Sequence, residues 1–168
     1  MMKTLYVIRH AKSSWDDDSL GDFERPLNDR GKRDAPEMAS RLKDRGVRPQ
    51  LLLSSPAKRA LSTAKRIAKA LDYPKDDIKT DRRLYHADRD MIYSVLRELK
   101  SKHELIFLFG HNPGLTDFVN SMMNERTFID NVPTCGVVAF AIELDSWKDL
   151  APKSGKMIFF DYPKNTAN

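Results

Sequence analysis

Arg9 and His10 stand directly behind Thr4-Leu5-Tyr6-Val7-Ile8, a short, apolar, β-prone run of the kind that forms a buried strand. A guanidinium and an imidazole at the end of such a strand suit the carboxyl edge of a parallel sheet, where α/β proteins hold ligands, better than they suit a core. A cation beside a potential nucleophile points to phosphate chemistry. Two further strand ends carry groups of the same character. Gln50-Leu51-Leu52-Leu53 runs into Ser54-Ser55-Pro56, with Arg59 one turn into the following helix, and Leu105-Ile106-Phe107-Leu108-Phe109 runs into Gly110-His111-Asn112. In a parallel sheet these ends converge, which gathers two arginines and two histidines around one point. Helix N-termini nearby add partial positive charge and free N–H groups, and each arginine adds a planar fork matched to phosphate oxygens.

Each piece alone has a plainer reading: a hydrogen-bonded histidine at a strand end, a solvated helix arginine, a Ser-Ser-Pro turn. Their coincidence at one edge is what points to a site. Metal binding is the rival use of two histidines. The chain contains no His-x-His, no cysteine pair and no His-Glu-x-x-His, so neither a metal nor a cofactor is expected.

The elements that must position these groups follow from two alternating periods. Asn28 is a candidate cap for a helix with Ala35, Met38, Ala39 and Leu42 on one face, ended by Gly46. Pro56 can open a second helix that turns Ala57, Ala60, Leu61, Ala64, Ile67, Ala68 and Leu71 inward and stops at Tyr73-Pro74. A short strand near Ile78-Lys79-Thr80 precedes a helix predicted to bury Met91, Ile92, Val95, Leu96 and Leu99. The run from Leu105, apolar on both faces, reads as a central parallel strand. A helix with Leu115, Phe118, Val119, Met122 and Met123 follows it. Residues 137–144 and 157–160 read as strands without a helix between them, pairing antiparallel at an edge. The order βαβαβαβαββ predicts one domain over residues 1–168: a three-layer α/β/α sandwich with a mostly parallel sheet and an antiparallel edge strand. Residues 11–27 form a long loop, in which Trp15 is expected to serve packing.

The chain has 168 residues, 40% hydrophobic and 32% charged, the balance of one ordinary domain able to bury a sizeable core. The formal charge of +5 raises nucleic-acid binding. However, basic residues alternate with acids, as in Lys43-Asp44-Arg45 and Asp88-Arg89-Asp90, and no aromatic-interleaved basic stripe occurs, so the charge reads as solubility with a bias toward anionic substrates. No apolar run is long enough to span a membrane. Met1-Met2-Lys3 leads straight into the first strand, so no cleavable signal peptide is expected. Cys135 is the only cysteine, which rules out an internal disulfide and fits a reducing cytoplasm. Only the polar residues 164–168 suggest a loosely ordered tail.

Arg9-His10-Ala11, Ser55-Pro56-x-x-Arg59-Ala60-x-x-Thr63-Ala64 and Gly110-His111-Asn112-Pro113, in this order, resemble the histidine phosphatase superfamily, also called phosphoglycerate-mutase-like. Most of its members have glycine after the histidine, where this chain has Ala11. Arg9-His10-Ala11-Lys12-Ser13-Ser14-Trp15-Asp16, with Arg25-Pro26-Leu27-Asn28-x-x-Gly31, is similar to the small SixA-type phosphohistidine phosphatases. The resemblance covers nearly the whole chain. It implies that His10 attacks phosphorus and becomes a phosphohistidine that water then hydrolyses, dividing one displacement into two. Arg9, Arg59 and His111 would hold the equatorial oxygens, with Ser13 and Asn112 as further substrate contacts and no metal required. Arg25 has two open readings, a further substrate contact or a surface salt bridge to Asp22 or Glu24.

The resemblance also leaves a question about the proton. Superfamily members that cleave phosphate esters carry a carboxylate after the third strand, where this chain reads Leu84-Tyr85-His86-Ala87-Asp88. His86 could donate a proton to the leaving group, Asp88 could do so, or no strong acid is present. A phosphorylated imidazole protonated on its other nitrogen can leave unaided, whereas an alkoxide cannot. The expected substrate is therefore phosphohistidine on a signalling or phosphotransfer protein, admitted by short connections that leave no room for a large lid. The alternatives are a small phosphorylated metabolite on the same site and a non-catalytic phosphate-binding module.

Overall fold

Alternation within the apolar strands sets the layers. In the computed structural model, Leu5 and Val7 of β1 (Met2–Arg9), Leu51 and Leu53 of β2 (Leu51–Ser54), and Ile106 and Leu108 of β4 (Leu105–Gly110) face one side of the sheet. There they pack with Ile92, Tyr93, Val95 and Leu96 of α3 (Arg89–Arg97) and with Leu115, Phe118, Val119 and Met122 of α4 (Gly114–Met122). The intervening residues Tyr6, Ile8, Leu52, Phe107 and Phe109 face the other side. Their partners are Ala35, Met38, Ala39 and Leu42 of α1 (Asp29–Asp44) and Ala64, Ile67 and Ala68 of α2 (Lys58–Ala70). Two cores on opposite faces of one sheet make the three-layer α/β/α sandwich read from the sequence.

The structure describes residues 1–166; Ala167 and Asn168, the end of the expected polar tail, lie outside them. The tail is tied down as far as Asn165, whose carbonyl accepts from Arg41 at 3.2 Å. Six strands lie in the order β3-β2-β4-β1-β5-β6, with β3 at Lys79–Thr80, β5 at Val137–Glu143 and β6 at Gly155–Asp161. β4 is central and parallel to both β1 and β2. Both strands of the tail are antiparallel, β5 against β1 and β6 against β5, so the antiparallel edge is two strands deep. The register places Arg9 opposite Gly110 and Ser54 opposite Phe109. His10, Ser55 and His111 therefore leave the sheet side by side.

The boundaries of α1 follow the predicted signals, whereas α2 begins at Lys58, two residues past Pro56, and α3 ends at Arg97, short of Leu99. The Asn28 side chain accepts from the Gly31 N–H at 2.9 Å and caps α1, and Gly46 takes the left-handed conformation just past its end. Two inward faces differ from expectation. In α3, Met91 is 37% exposed and Tyr93 is buried instead, its ring against Phe118 and its hydroxyl beside Ser121 Oγ. In α2, Leu61 is only half-buried, while Thr63 is buried because its hydroxyl has two hydrogen-bond partners, Ala11 and Arg59. Gly114 lets α4 begin against the backbone of Ala87, where a Cβ would collide with the carbonyl oxygen. That close approach brings the loop carrying His86 up to the end of β4.

Candidate active site

His10 is 7% exposed, and its backbone N–H donates to the Gly110 carbonyl at 3.2 Å. Its ring Nδ1 lies 2.8 Å from the Ala11 carbonyl oxygen. A carbonyl only accepts, so Nδ1 carries the proton and Nε2 keeps its lone pair. The Ala11 N–H in turn donates to the Thr63 hydroxyl at 2.9 Å, which fixes the peptide that orients the ring. Burial, reinforced by the charges of Arg59, Arg9 and Arg25, lowers the His10 pKa to about 4. The ring is thus neutral at neutral pH.

His111 stands with its ring centroid 5.3 Å from that of His10. Its Nε2 is 2.8 Å from Ser55 Oγ, which also accepts the Ala57 N–H at 3.2 Å. His111 Nδ1 is a buried nitrogen without a protein partner; it carries the ring proton when the Ser55 hydroxyl donates to Nε2. Burial first, then His10 and Arg59, lowers the His111 pKa to about 3.

Three arginines close around this pair. Arg9 Nη1 donates to the Val132 carbonyl at 3.1 Å. Arg59, 4% exposed, donates from Nη1 to the Asp22 carbonyl at 2.6 Å and from Nη2 to Asp22 Oδ2 at 3.0 Å. Arg25, 8% exposed, donates from Nη2 to Ser13 Oγ at 2.8 Å. Its Nε reaches Asp22 Oδ1 at 3.5 Å, an ion-pair distance without hydrogen-bond geometry. Among the described residues, the buried side-chain nitrogens and oxygens that lack hydrogen-bond partners are Nε of Arg9, Arg25 and Arg59, Nη1 of Arg25, and Nδ1 of His111. Unpaired buried polar groups are costly and rare. Here all of them belong to one cluster, and all are nitrogens that can donate to an anion with several oxygens.

The remaining predicted positions divide. Ser13 supports Arg25. Asn112 is committed to structure: its amide nitrogen donates to Asn131 Oδ1 and the Val132 carbonyl, and its oxygen accepts from the N–H and hydroxyl of Thr116. Asp88 caps α3 by accepting from the Met91 N–H at 2.8 Å. The His86 side chain is 65% exposed, with Nε2 at 3.7 Å from Asp22 Oδ2. Trp15 does not pack into the loop as expected. It is 73% exposed, with the Arg25 guanidinium carbon 3.5 Å from its ring centroid. Sequence reasoning passed over Asp22 and Tyr85 as site residues. Asp22 meets Arg59, Arg25, His86 and the Tyr85 hydroxyl, the last at 2.7 Å. Its one local signal was a place three residues before Arg25.

The sequence profile of the histidine phosphatase superfamily (branch 1) matches residues 5–107, which carry His10 and Arg59. The chain belongs to the histidine phosphatase superfamily. A chloroplastic protein of Arabidopsis thaliana, uncharacterised, is 31% identical over 161 residues, spanning 91% of this chain and 72% of the plant protein. The structure is similar to that of SixA from Agrobacterium tumefaciens, with a TM-score of 0.80 and 27% identity over 96% of this chain and 98% of the other. The fold also matches a SixA protein histidine phosphatase complexed with tungstate, at a TM-score of 0.79 and 20% identity over 95% of this chain and 97% of that one. As a histidine phosphatase, the chain is a phosphate-transferring hydrolase whose motifs lie on the three strand ends described above. No helix among its described residues is long and apolar enough to cross a membrane.

The two neutral histidines tie this phosphatase's stability to pH. Both have folded-state pKa values below the unfolded value of about 6.5. Below that value the unfolded chain binds protons that the folded chain refuses, so their contribution is complete above about 6.5 and declines as pH falls toward 4 and then 3. Thermal unfolding in phosphate-free buffer should show a midpoint that drops between pH 6.5 and 4, by on the order of a few kcal/mol of stability. His10→Gln should flatten the drop, and ring-nitrogen NMR should find both imidazoles neutral at pH 6. A midpoint insensitive to this range would contradict the assignment.

Proposed function

We propose that this histidine phosphatase removes phosphate from phosphohistidine on a signalling or phosphotransfer protein, through a phosphoryl intermediate on His10. The observation that carries the reading is the cluster of partnerless nitrogens on Arg9, Arg25, Arg59 and His111 beside an imidazole whose proton is fixed on Nδ1. His10 Nε2 attacks phosphorus, and the guanidinium groups and His111 Nδ1–H hold the equatorial oxygens as charge develops on them. These groups supply the positive charge, so the reading needs no metal. Asp88 is engaged as a helix cap, which leaves His86 as the candidate for a proton donor at the mouth. A substrate whose leaving nitrogen departs with its ring already protonated asks least of such a site. The single buried Cys135 fits a reducing compartment such as the cytoplasm.

The test compares kcat/KM for a phosphohistidine protein, with phosphoimidazole as its small analogue, against that for a sugar phosphate. The expected preference is about 100-fold or more for the P–N substrates. Equal turnover of sugar phosphates would replace this reading with that of a small-molecule phosphomonoesterase.

A further inference from the structure

A carboxylate stands at this site without a part in the phosphate chemistry. Asp22 Oδ2 accepts from Arg59 Nη2 at 3.0 Å and from the Tyr85 hydroxyl at 2.7 Å, with His86 Nε2 at 3.7 Å. It is therefore fixed between an arginine of the phosphate cluster and a group of aromatic rings. Tyr85 lies 3.9 Å from His86, 5.0 Å from Phe23 edge-on, and 5.6 Å from His111 edge-on, all between centroids. His10 is buried whereas Asp22 and His86 are exposed. In an in-line displacement the leaving group sits opposite the nucleophile, which here means toward the exposed side.

We propose that Asp22 selects a phosphorylated imidazole by accepting the N–H of the leaving ring, with Tyr85 as the residue that positions the carboxylate. The inference rests on the P–N reading given above. The step balances without a proton from the enzyme, because the phosphorylated ring enters already protonated on its other nitrogen. A bond forms between His10 Nε2 and phosphorus, and the bond from phosphorus to the substrate nitrogen breaks. Its electron pair returns to that nitrogen, and the ring departs neutral with its proton on the other nitrogen, donated to Asp22. Water then adds to phosphorus, releases phosphate and restores His10. Asp22 thus does for the substrate ring what the Ala11 carbonyl does for His10: each acceptor keeps the proton on the far nitrogen while the near one bonds phosphorus.

The same carboxylate disfavours esters. The Tyr85 hydroxyl, followed by Arg59, holds Asp22 below the ordinary carboxylate range, so it has no proton to give an alkoxide. Its negative charge opposes one. A flat ring also suits the aromatic wall in a way that a sugar does not.

Asp22→Asn and Tyr85→Phe test this against two substrates: phosphoimidazole, which carries the N–H, and p-nitrophenyl phosphate, which lacks it and whose phenolate leaves without an acid. In Asp22→Asn, kcat/KM for phosphoimidazole should fall about tenfold further than that for p-nitrophenyl phosphate. Tyr85→Phe should shift the ratio the same way by less. An equal fall on both substrates would mean that Asp22 only supports Arg59, and would overturn the inference. A wild-type enzyme preferring phosphoimidazole, with a ratio unmoved in both variants, would overturn it while sparing the P–N reading. A wild type without that preference would sink both.

Discussion

His10→Ala is expected to abolish phosphate release, with kcat lower by on the order of 10⁴-fold or more, while tungstate still binds. The two halves have separate causes. Turnover needs a nucleophile, and the only unprotonated, unpartnered ring nitrogen that the site holds in place is Nε2 of His10, fixed by the bond from Nδ1–H to the Ala11 carbonyl. No neighbour can substitute. The proposed Nδ1–H of His111 is turned to donation by Ser55, and His86 is exposed beside Asp22. In the proposed mechanism anion binding rests on Arg9, Arg25, Arg59 and His111, which alanine leaves untouched. Folding should survive as well, because His10 is a neutral buried ring whose loss removes one of the two groups that penalise the folded state in acid. Rapid acid-free quenching of the wild type with a labelled phosphodonor should trap an acid-labile label on His10, and the variant should show none. A variant that still turns over, or a label elsewhere, would remove His10 as nucleophile.

The skeleton of this site was legible in the sequence because it depends on strand ends. A buried strand announces itself by an apolar run, and a residue just beyond the run is placed by the sheet, whatever its contacts. His10, Ser55 and His111 are such residues, and the register that pairs Arg9 with Gly110 and Ser54 with Phe109 brings them together. Arg59 is fixed almost as directly, one turn into α2. Asp22 was not legible as part of the site. It sits in a long loop rich in aspartate, without periodicity, and its role comes from contacts with residues 37 and 63 positions away. Only its place three residues before Arg25 separates it from Asp16, Asp17 and Asp18. Asn112 shows the opposite error: a polar residue at a strand end whose whole amide is spent on the 131–132 loop and Thr116. Tyr93 in place of Met91 is a smaller slip of the same origin. A tyrosine can be buried when its hydroxyl finds a partner, here Ser121, and that partner is 28 positions along the chain.

Arg59→Ala should cost about 10²–10³ in kcat, the loss typical of removing one preorganised donor from a site that stabilises developing oxyanion charge. Arg59 merits this expectation more than the other arginines. Arg9 is held by one carbonyl, and Arg25 lies partly on Trp15. Arg59 is held through both terminal nitrogens by Asp22, while its Nε is buried without a partner. Such a group is already oriented before substrate arrives, so its help costs no reorganisation at the moment of reaction. The effect should fall on kcat more than on KM, because the phosphoryl oxygens spread into a trigonal plane only as the bond to the leaving group loosens. Arg59→Lys should recover little, since an ammonium ion cannot reproduce a fork that meets Asp22 on one side and phosphate on the other. Steady-state kinetics on phosphoimidazole, with tungstate inhibition measured alongside, separate the possibilities. A rise in KM at constant kcat would make Arg59 a binding group that holds substrate and transition state alike. Full recovery in the lysine variant would show that charge alone matters and that the Asp22 brace contributes nothing to the chemistry.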